Sequence, residues 1–233
     1  MKNVFISGMS RGIGLEIFKQ LSDSFNVSGS TSNLKLVPNL FEAMKLKNSE
    51  LLEIDAHLLN KPDKFDSYLS RIPGNIDILI NNAGIAKFQD FLDTNLLTLT
   101  EHLNVNLYLS YLLTKAVLPS MLEKKSGLII NILSVASIKP FIGASLYSAA
   151  KAAMSAMFDS IREEVRSEGV KITNIYLGAT ETTIWSEEMR EKYSEKMIDP
   201  DDVADTVVSL IELSKRKRMM VEEIVLRPQF GDL

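Results

Sequence analysis

The chain has 233 residues, 45% of them hydrophobic and 24% charged, with no cysteine and a formal net charge of −4. That composition excludes general disorder and opposes a nucleic-acid partner held by broad phosphate neutralisation. Without cysteine there is no disulfide frame, thiol nucleophile or thiolate metal site.

Short apolar runs alternate with helical patterns along the chain. The runs at 4–7, 25–29, 51–54, 76–80, 128–133, 171–177 and 221–226 have strand length, and several are continuously apolar. Strands of that kind are covered on both faces, as in a parallel sheet between helix layers. Helical patterns fall at 12–22, 63–70, 97–123, 145–167 and 201–213, with Asp201 as the expected N-cap of the last. The alternation predicts an α/β fold: a single domain over 1–233, doubly wound and Rossmann-like, a three-layer sandwich around a seven-stranded parallel sheet. The polar segment 182–199, with Trp185, Met189 and Tyr193, interrupts the rhythm and reads as a helical lid. The basic cluster 215–218 lies between a helix and the last strand and reads as a solvated turn. The apolar start at 4–6 is too short for a signal-peptide core, and 127–150 is too polar for a membrane span. A cytoplasmic protein with neither membrane nor nucleic acid as partner is expected.

The first strand runs into Ser7-Gly8-Met9-Ser10-Arg11-Gly12-Ile13-Gly14, a G-x-x-x-G-x-G turn opening a helix. Gly8 permits a sharp exit from the strand, Gly12 a close approach of backbone to pyrophosphate, and Gly14 close packing of helix on strand. Asn81-Asn82-Ala83-Gly84 follows the fourth strand, at the carboxyl end where open α/β sheets bind ligands. Ser134 follows the fifth strand, and 13 residues later Tyr147-Ser148-Ala149-Ala150-Lys151 opens a helix. A free phenol, with a pKa near 10, is poorly matched to neutral pH. Lys151, one helical turn beyond Tyr147, would favour the phenolate and lower that pKa.

These residues resemble the short-chain dehydrogenase/reductase family, in its single-domain form, over essentially the whole chain. The glycine turn, N-N-A-G, Asn106, Ser134 and Y-x-x-x-K occur in the family's order. The resemblance implies hydride transfer between a carbonyl or alcohol and a nicotinamide cofactor, with Asn106, Ser134, Tyr147 and Lys151 as the catalytic group. It implies that Lys151 holds the nicotinamide ribose, and that Asn106 interrupts its helix and binds a water leading from Lys151 to solvent. Cofactor contacts are expected at Gly8, Ser10, Arg11, Gly12, Ile13, Gly14, Ser30, Thr31, Ser32, Asp55, Ala56, Asn82, Ala83, Gly84, Tyr147, Lys151, Gly178, Thr180 and Thr182. The second strand ends without a carboxylate, and Arg11 would suit a 2′-phosphate, so NADP(H) is expected over NAD(H). Val135, Phe141 and Trp185, with Ser134 and Tyr147, are the expected substrate contacts. Ile85, Ala86 and Met189 add apolar surface, which favours a ketone or aldehyde with a hydrocarbon portion.

Three departures from the family pattern stand out. Ser7 replaces Thr, Leu133 replaces a second Ser, and Leu177-Gly178 replaces Pro-Gly, which removes a fixed φ beside the nicotinamide. The resemblance implies a homodimer or homotetramer through helices near 101–122 and 146–165, although the C-terminus lacks the Gly-Gly ending of many relatives. His57 and His102 have no partners at ligand spacing, so no metal is expected. The alternative reading is a nucleotide-binding sensor or scaffold with the same fold and little catalysis, which the presence of Tyr147 and Lys151 opposes.

Overall fold

The computed structural model describes residues 1–37 and 50–232. β1 (Asn3–Ser7) enters α1 (Gly12–Leu21) through the glycine turn, and β2 (Asn26–Thr31) and β3 (Leu51–Glu53) follow on one side of β1. After α2 (Pro62–Leu69) the chain crosses to β4 (Ile78–Asn81) on the other side of β1. α3 (Leu96–Leu103), α4 (Leu109–Glu123) and β5 (Gly127–Ser134) come next. They are followed by α5 (Ser145–Val165), β6 (Val170–Leu177), α6 (Glu187–Tyr193), α7 (Pro200–Ser214) and β7 (Glu223–Leu226). The described strands form one seven-stranded sheet, β3-β2-β1-β4-β5-β6-β7, parallel throughout. The winding reverses between β1 and β4, so their carboxyl ends border the crevice where ligands bind in such sheets.

Alternation along the strands builds two cores. Val4, Ile6, Ile78 and Ile80 pack toward α1 and α7, with Ile17, Phe18, Val203 and Val207. Phe5, Leu79 and Ile129 point the other way, toward Leu112, Leu113 and Val117 of α4 and Met154 and Phe158 of α5. Both faces are buried, hence the continuous apolar runs. Polar side chains also cross the sheet. Asn81 donates to Asn131, Asn131 to Asn174 and Asn174 to Asp159, each at 2.9 Å. This amide chain fixes the register Asn81↔Asn131↔Asn174, because a slipped strand would leave buried amides unpaired.

Several boundaries differ from expectation. β2 continues through Ser30 and Thr31, which pair with Ser7 and Glu53. The cap of α7 is Asp199, whose side chain accepts from Asp201 N, with Pro200 at the first helical position. Asp201 therefore lies inside the helix, since Pro is best tolerated where no N–H is needed. The helix expected over 97–123 is interrupted by a π-helical turn, Asn104–Tyr108, between α3 and α4, at the Asn106 where the resemblance implies an interruption. The basic cluster 215–218 does form a turn after α7, organised by Lys171, whose ammonium donates to the carbonyls of Ser214, Arg216 and Met219. Among the described residues no helix is long and apolar enough to cross a membrane.

Candidate active site

The glycine turn and the N-N-A-G loop are bonded into one unit. Ser7 Oγ accepts from Asn82 N and Ala83 N at 2.9 and 3.0 Å, which explains why a hydroxyl suffices in place of Thr. The Asn82 side-chain amide donates to Ser7 O and Gly8 O at 2.9 and 3.1 Å. Gly8 and Gly12 have φ of +66° and +53°, in the left-handed region. A Cβ on Gly8 would stand 2.8 Å from Ala83 Cα, and one on Gly14 2.6 Å from Asn82 Nδ2 and against Gly8 O. Arg11 enters α1 with extended backbone and no side-chain cap, so the first amides of the helix have no side chain competing with an anion. The cradle thus fits a dinucleotide pyrophosphate. Gly14→Ala is expected to lower stability by about 1–3 kcal/mol through overpacking and to raise the Kd for cofactor. Thermal unfolding with and without nucleotide checks both.

Of the residues expected around the adenosine ribose, Ser30 and Thr31 are buried within β2, with only Ser32 and Arg11 exposed. Ser30 and Thr31 are therefore part of the sheet, their backbone engaged in the ladder. Asp55 follows β3, its carboxylate accepting from His57 N, and Ala56 is buried beside it. Ser10 and Ile13 flank Gly12 half-buried at the mouth of the turn.

α5 carries Tyr147 and Lys151 four residues apart, and both side chains are buried. Lys151 Nζ donates to Ile132 O at 2.8 Å. It approaches the N-N-A-G loop as well, 3.4 Å from where a Cβ on Gly84 would stand, with Asn106 Oδ1 at 3.0 Å from the same point. Gly84 is therefore the residue that lets this loop lie over both side chains. Asn106 is held by Ile85, accepting from its N–H at 3.1 Å and donating to its carbonyl at 3.0 Å. The π turn projects Asn106 at that loop, and such turns recur at functional sites. Ser134 Oγ accepts from Ala136 N at 3.1 Å at the start of the turn containing Val135.

Electrostatics departs from expectation. Burial pushes the Tyr147 phenol above its usual pKa, and its hydrogen bond with Ser134 offsets part of that rise. Burial lowers Lys151 to about 8. In this state desolvation outweighs any effect of the ammonium, so the phenol stays protonated instead of being lowered by Lys151. The site is a neutral O–H donor beside an ammonium with one protein acceptor among the described residues, which fits a ribose diol at its remaining protons.

Two rings around Tyr147 make contacts that the sequence does not show. Phe88 meets Tyr147 edge-on at 6.0 Å and stacks on Trp185 at 5.4 Å. His102, fully buried, sets its ring 6.4 Å from that of Tyr147. His102 Nε2 accepts from Lys87 N at 3.1 Å, which leaves Nδ1 to donate to Thr98 O at 2.8 Å. Both ring nitrogens of this histidine thus brace the backbone beside Phe88.

Leu177 is the last residue of β6, pairing with Ser134 and Leu226. Gly178 N donates to Leu226 O at 2.7 Å, and a Cβ on Gly178 would stand 2.7 Å from Pro228. Without proline the loop is anchored by sheet pairing instead. Thr180 is buried and its carbonyl accepts from Trp185 Nε1 at 3.0 Å. Thr182 Cγ2 lies 3.2 Å from a Cβ position on Gly12, so the start of segment 182–199 closes onto the glycine turn. Phe141 is half-buried and packs against the core beside α5.

The model of the family described as short chain dehydrogenase matches residues 2–193. Ketoacyl reductase HetN of Nostoc sp. is 33% identical over 218 residues, 91% of this chain and 75% of that protein. Sepiapterin reductase of Chlorobaculum tepidum is 34% identical over 160 residues, 69% of this chain and 64% of that protein. The closed form of serine dehydrogenase complexed with NADP+ superimposes with a TM-score of 0.87 at 22% identity, covering 99% of this chain and 96% of that one. With the family model spanning most of its length and its motifs gathered in one crevice, the chain belongs to the short-chain dehydrogenase family.

Proposed function

We propose that the protein is an oxidoreductase interconverting a carbonyl and an alcohol with NADP(H), Tyr147 exchanging the proton at the substrate oxygen. The observation that carries this reading is the meeting of Lys151 and Asn106 at Gly84, in the loop bonded to the glycine cradle, with buried Tyr147 one turn before Lys151 and in reach of Ser134. The nicotinamide would supply a hydride at carbon. The protein must then supply a proton at oxygen, and a phenol held neutral by burial has one to give. Ser134 steadies the oxygen as charge develops on it. Lys151 orients the ribose and stabilises the phenolate left behind. Asn106 fixes the Ile85 backbone, so the loop covering the site keeps its shape.

The phosphate preference rests on Arg11 and Ser32, both exposed, and on the end of β2 and the two residues after it, Ser30-Thr31-Ser32-Asn33, which hold no carboxylate. Serine dehydrogenase complexed with NADP+ and a metagenomic oxidoreductase in complex with NADP share the fold, in keeping with that preference. Arg11→Ala is expected to raise the Kd for NADPH about tenfold, the value of one exposed charge-assisted hydrogen bond, while leaving that for NADH within twofold. Fluorescence titration of both cofactors checks this, and an unchanged ratio removes Arg11 from the reading. The reading as a whole is tested by turnover of a carbonyl and alcohol panel with both cofactors. Reduction of at least one carbonyl is expected; tight NADPH binding without any turnover would favour the sensor alternative.

A further inference from the structure

Large apolar side chains exposed on a soluble surface are ordinarily scattered singly. Here Phe88, Phe91, Leu92, Leu96 and Leu97 fall within ten residues, and Ile142 joins them across the hydrogen bond from Gln89 N to Gly143 O, 2.9 Å. Leu92 and Ile142 are 93% and 98% exposed. The segment is braced to present them: Asn106 holds both backbone groups of Ile85, His102 holds Lys87 N, and Gln89 Nε2 donates to Asp93 O at 3.0 Å. Its inner end is Phe88, in ring contact with Tyr147 and Trp185. Phe88 therefore links this exposed apolar segment to the phenol.

We propose that this rim is a subsite for the hydrocarbon tail of a carbonyl substrate whose far end is uncharged. The inference rests on the reading of Tyr147 as the group that meets the substrate oxygen. A tail attached to the carbonyl carbon leaves past Phe88 and lies along Phe91, Leu92 and Leu96, opposite Ile142. Charge on the rim argues for a neutral terminus. Lys87 and Lys139 are paired with Glu101 and Asp232, whereas Asp90 and Asp93 have no cation partner among the described residues, so an anionic end would meet net negative charge.

The test is a series of 2-ketones from four to twelve carbons, with NADPH, on the wild type and on Leu92→Ser/Ile142→Ser. Neither substituted residue belongs to the catalytic or cofactor machinery. In the wild type kcat/KM is expected to rise about two- to fourfold per methylene, the larger figure being that of full burial. The double variant flattens the rise and keeps the rate on the shortest ketone, and an ω-carboxylate on the longest loses the gain. Trp185, the chain's one tryptophan, gives a readout independent of turnover, because ketone binding beside Phe88 shifts its emission with the same dependence on length. A flat series in emission and kcat/KM, with short ketones reduced, overturns the rim and leaves the proposed activity standing. A length-dependent emission shift, lost in the variant, with no ketone reduced supports the rim and removes the activity. Equal slopes in wild type and variant overturn the rim, as does a dimer converted to monomer by the two substitutions in sedimentation, which assigns the surface to a second copy.

Discussion

Tyr147→Phe is expected to reduce kcat for carbonyl reduction by about 10²- to 10⁴-fold, the usual worth of a positioned general acid. The ring survives the change, so its edge contacts with Phe88 and His102 remain. What disappears is one hydroxyl bonded to Ser134. Burial raises the phenol pKa, which means the wild type carries this proton across the neutral range and no acid limb from Tyr147 itself appears there. The Kd for NADPH should change by less than twofold. Stopped-flow reduction alongside equilibrium binding separates the two quantities; a variant retaining near wild-type kcat would show that another group donates the proton.

Lys151→Met is expected to cost about 10²-fold or more in kcat/KM and to weaken NADPH binding, because the ammonium serves both the ribose and the phenolate. The pH dependence adds a second signature. With Lys151 lowered to about 8, kcat/KM for NADPH, which reports the free enzyme, should fall as pH rises through about 8. That limb should be missing from the variant. The stability effect has the opposite sign. The folded pKa lies below the unfolded value of 10.5, so between about pH 8 and 10.5 the unfolded chain binds more protons and stability rises with pH. Below that window the buried ammonium destabilises the fold by roughly 3 kcal/mol, at about 1.4 kcal/mol per pKa unit. Removing it relieves that cost but forfeits the bond to Ile132 O, about 1–3 kcal/mol. The variant should therefore unfold near the wild-type temperature at pH 7, and the activity loss is not a folding loss.

The architecture was readable because parallel strands buried on both faces announce themselves as unbroken apolar runs, as in 78–80 and 128–133. Errors came where polar residues continue a strand, as Ser30 and Thr31 do, and where proline rather than the first acid sets the helix start, as at Pro200. The glycine turn, Gly84, Ser134, Tyr147 and Lys151 were legible because backbone approach and one-turn spacing are local properties. Phe88 and His102 were not, since their importance lies in tertiary contacts between a loop, the α3 helix and α5. One signal was available: His102 precedes Asn106 by one turn, so both were placed to face the loop after Gly84. The direction of the Tyr147 shift was missed for a related reason. Sequence spacing shows that a lysine is near, but only burial shows how far desolvation opposes it.

In the proposed reaction a proton passes from Tyr147 to a carbonyl oxygen while hydride reaches the carbon. Incubating the enzyme with a reducible ketone and NADPH deuterated at the transferable C4 position, then weighing the alcohol, tests this most directly. The wild type should yield alcohol with one deuterium on the carbinol carbon, and Tyr147→Phe under the same conditions should yield about a hundredth as much or less. Alcohol without that deuterium, or equal amounts of labelled alcohol from both proteins, would contradict it.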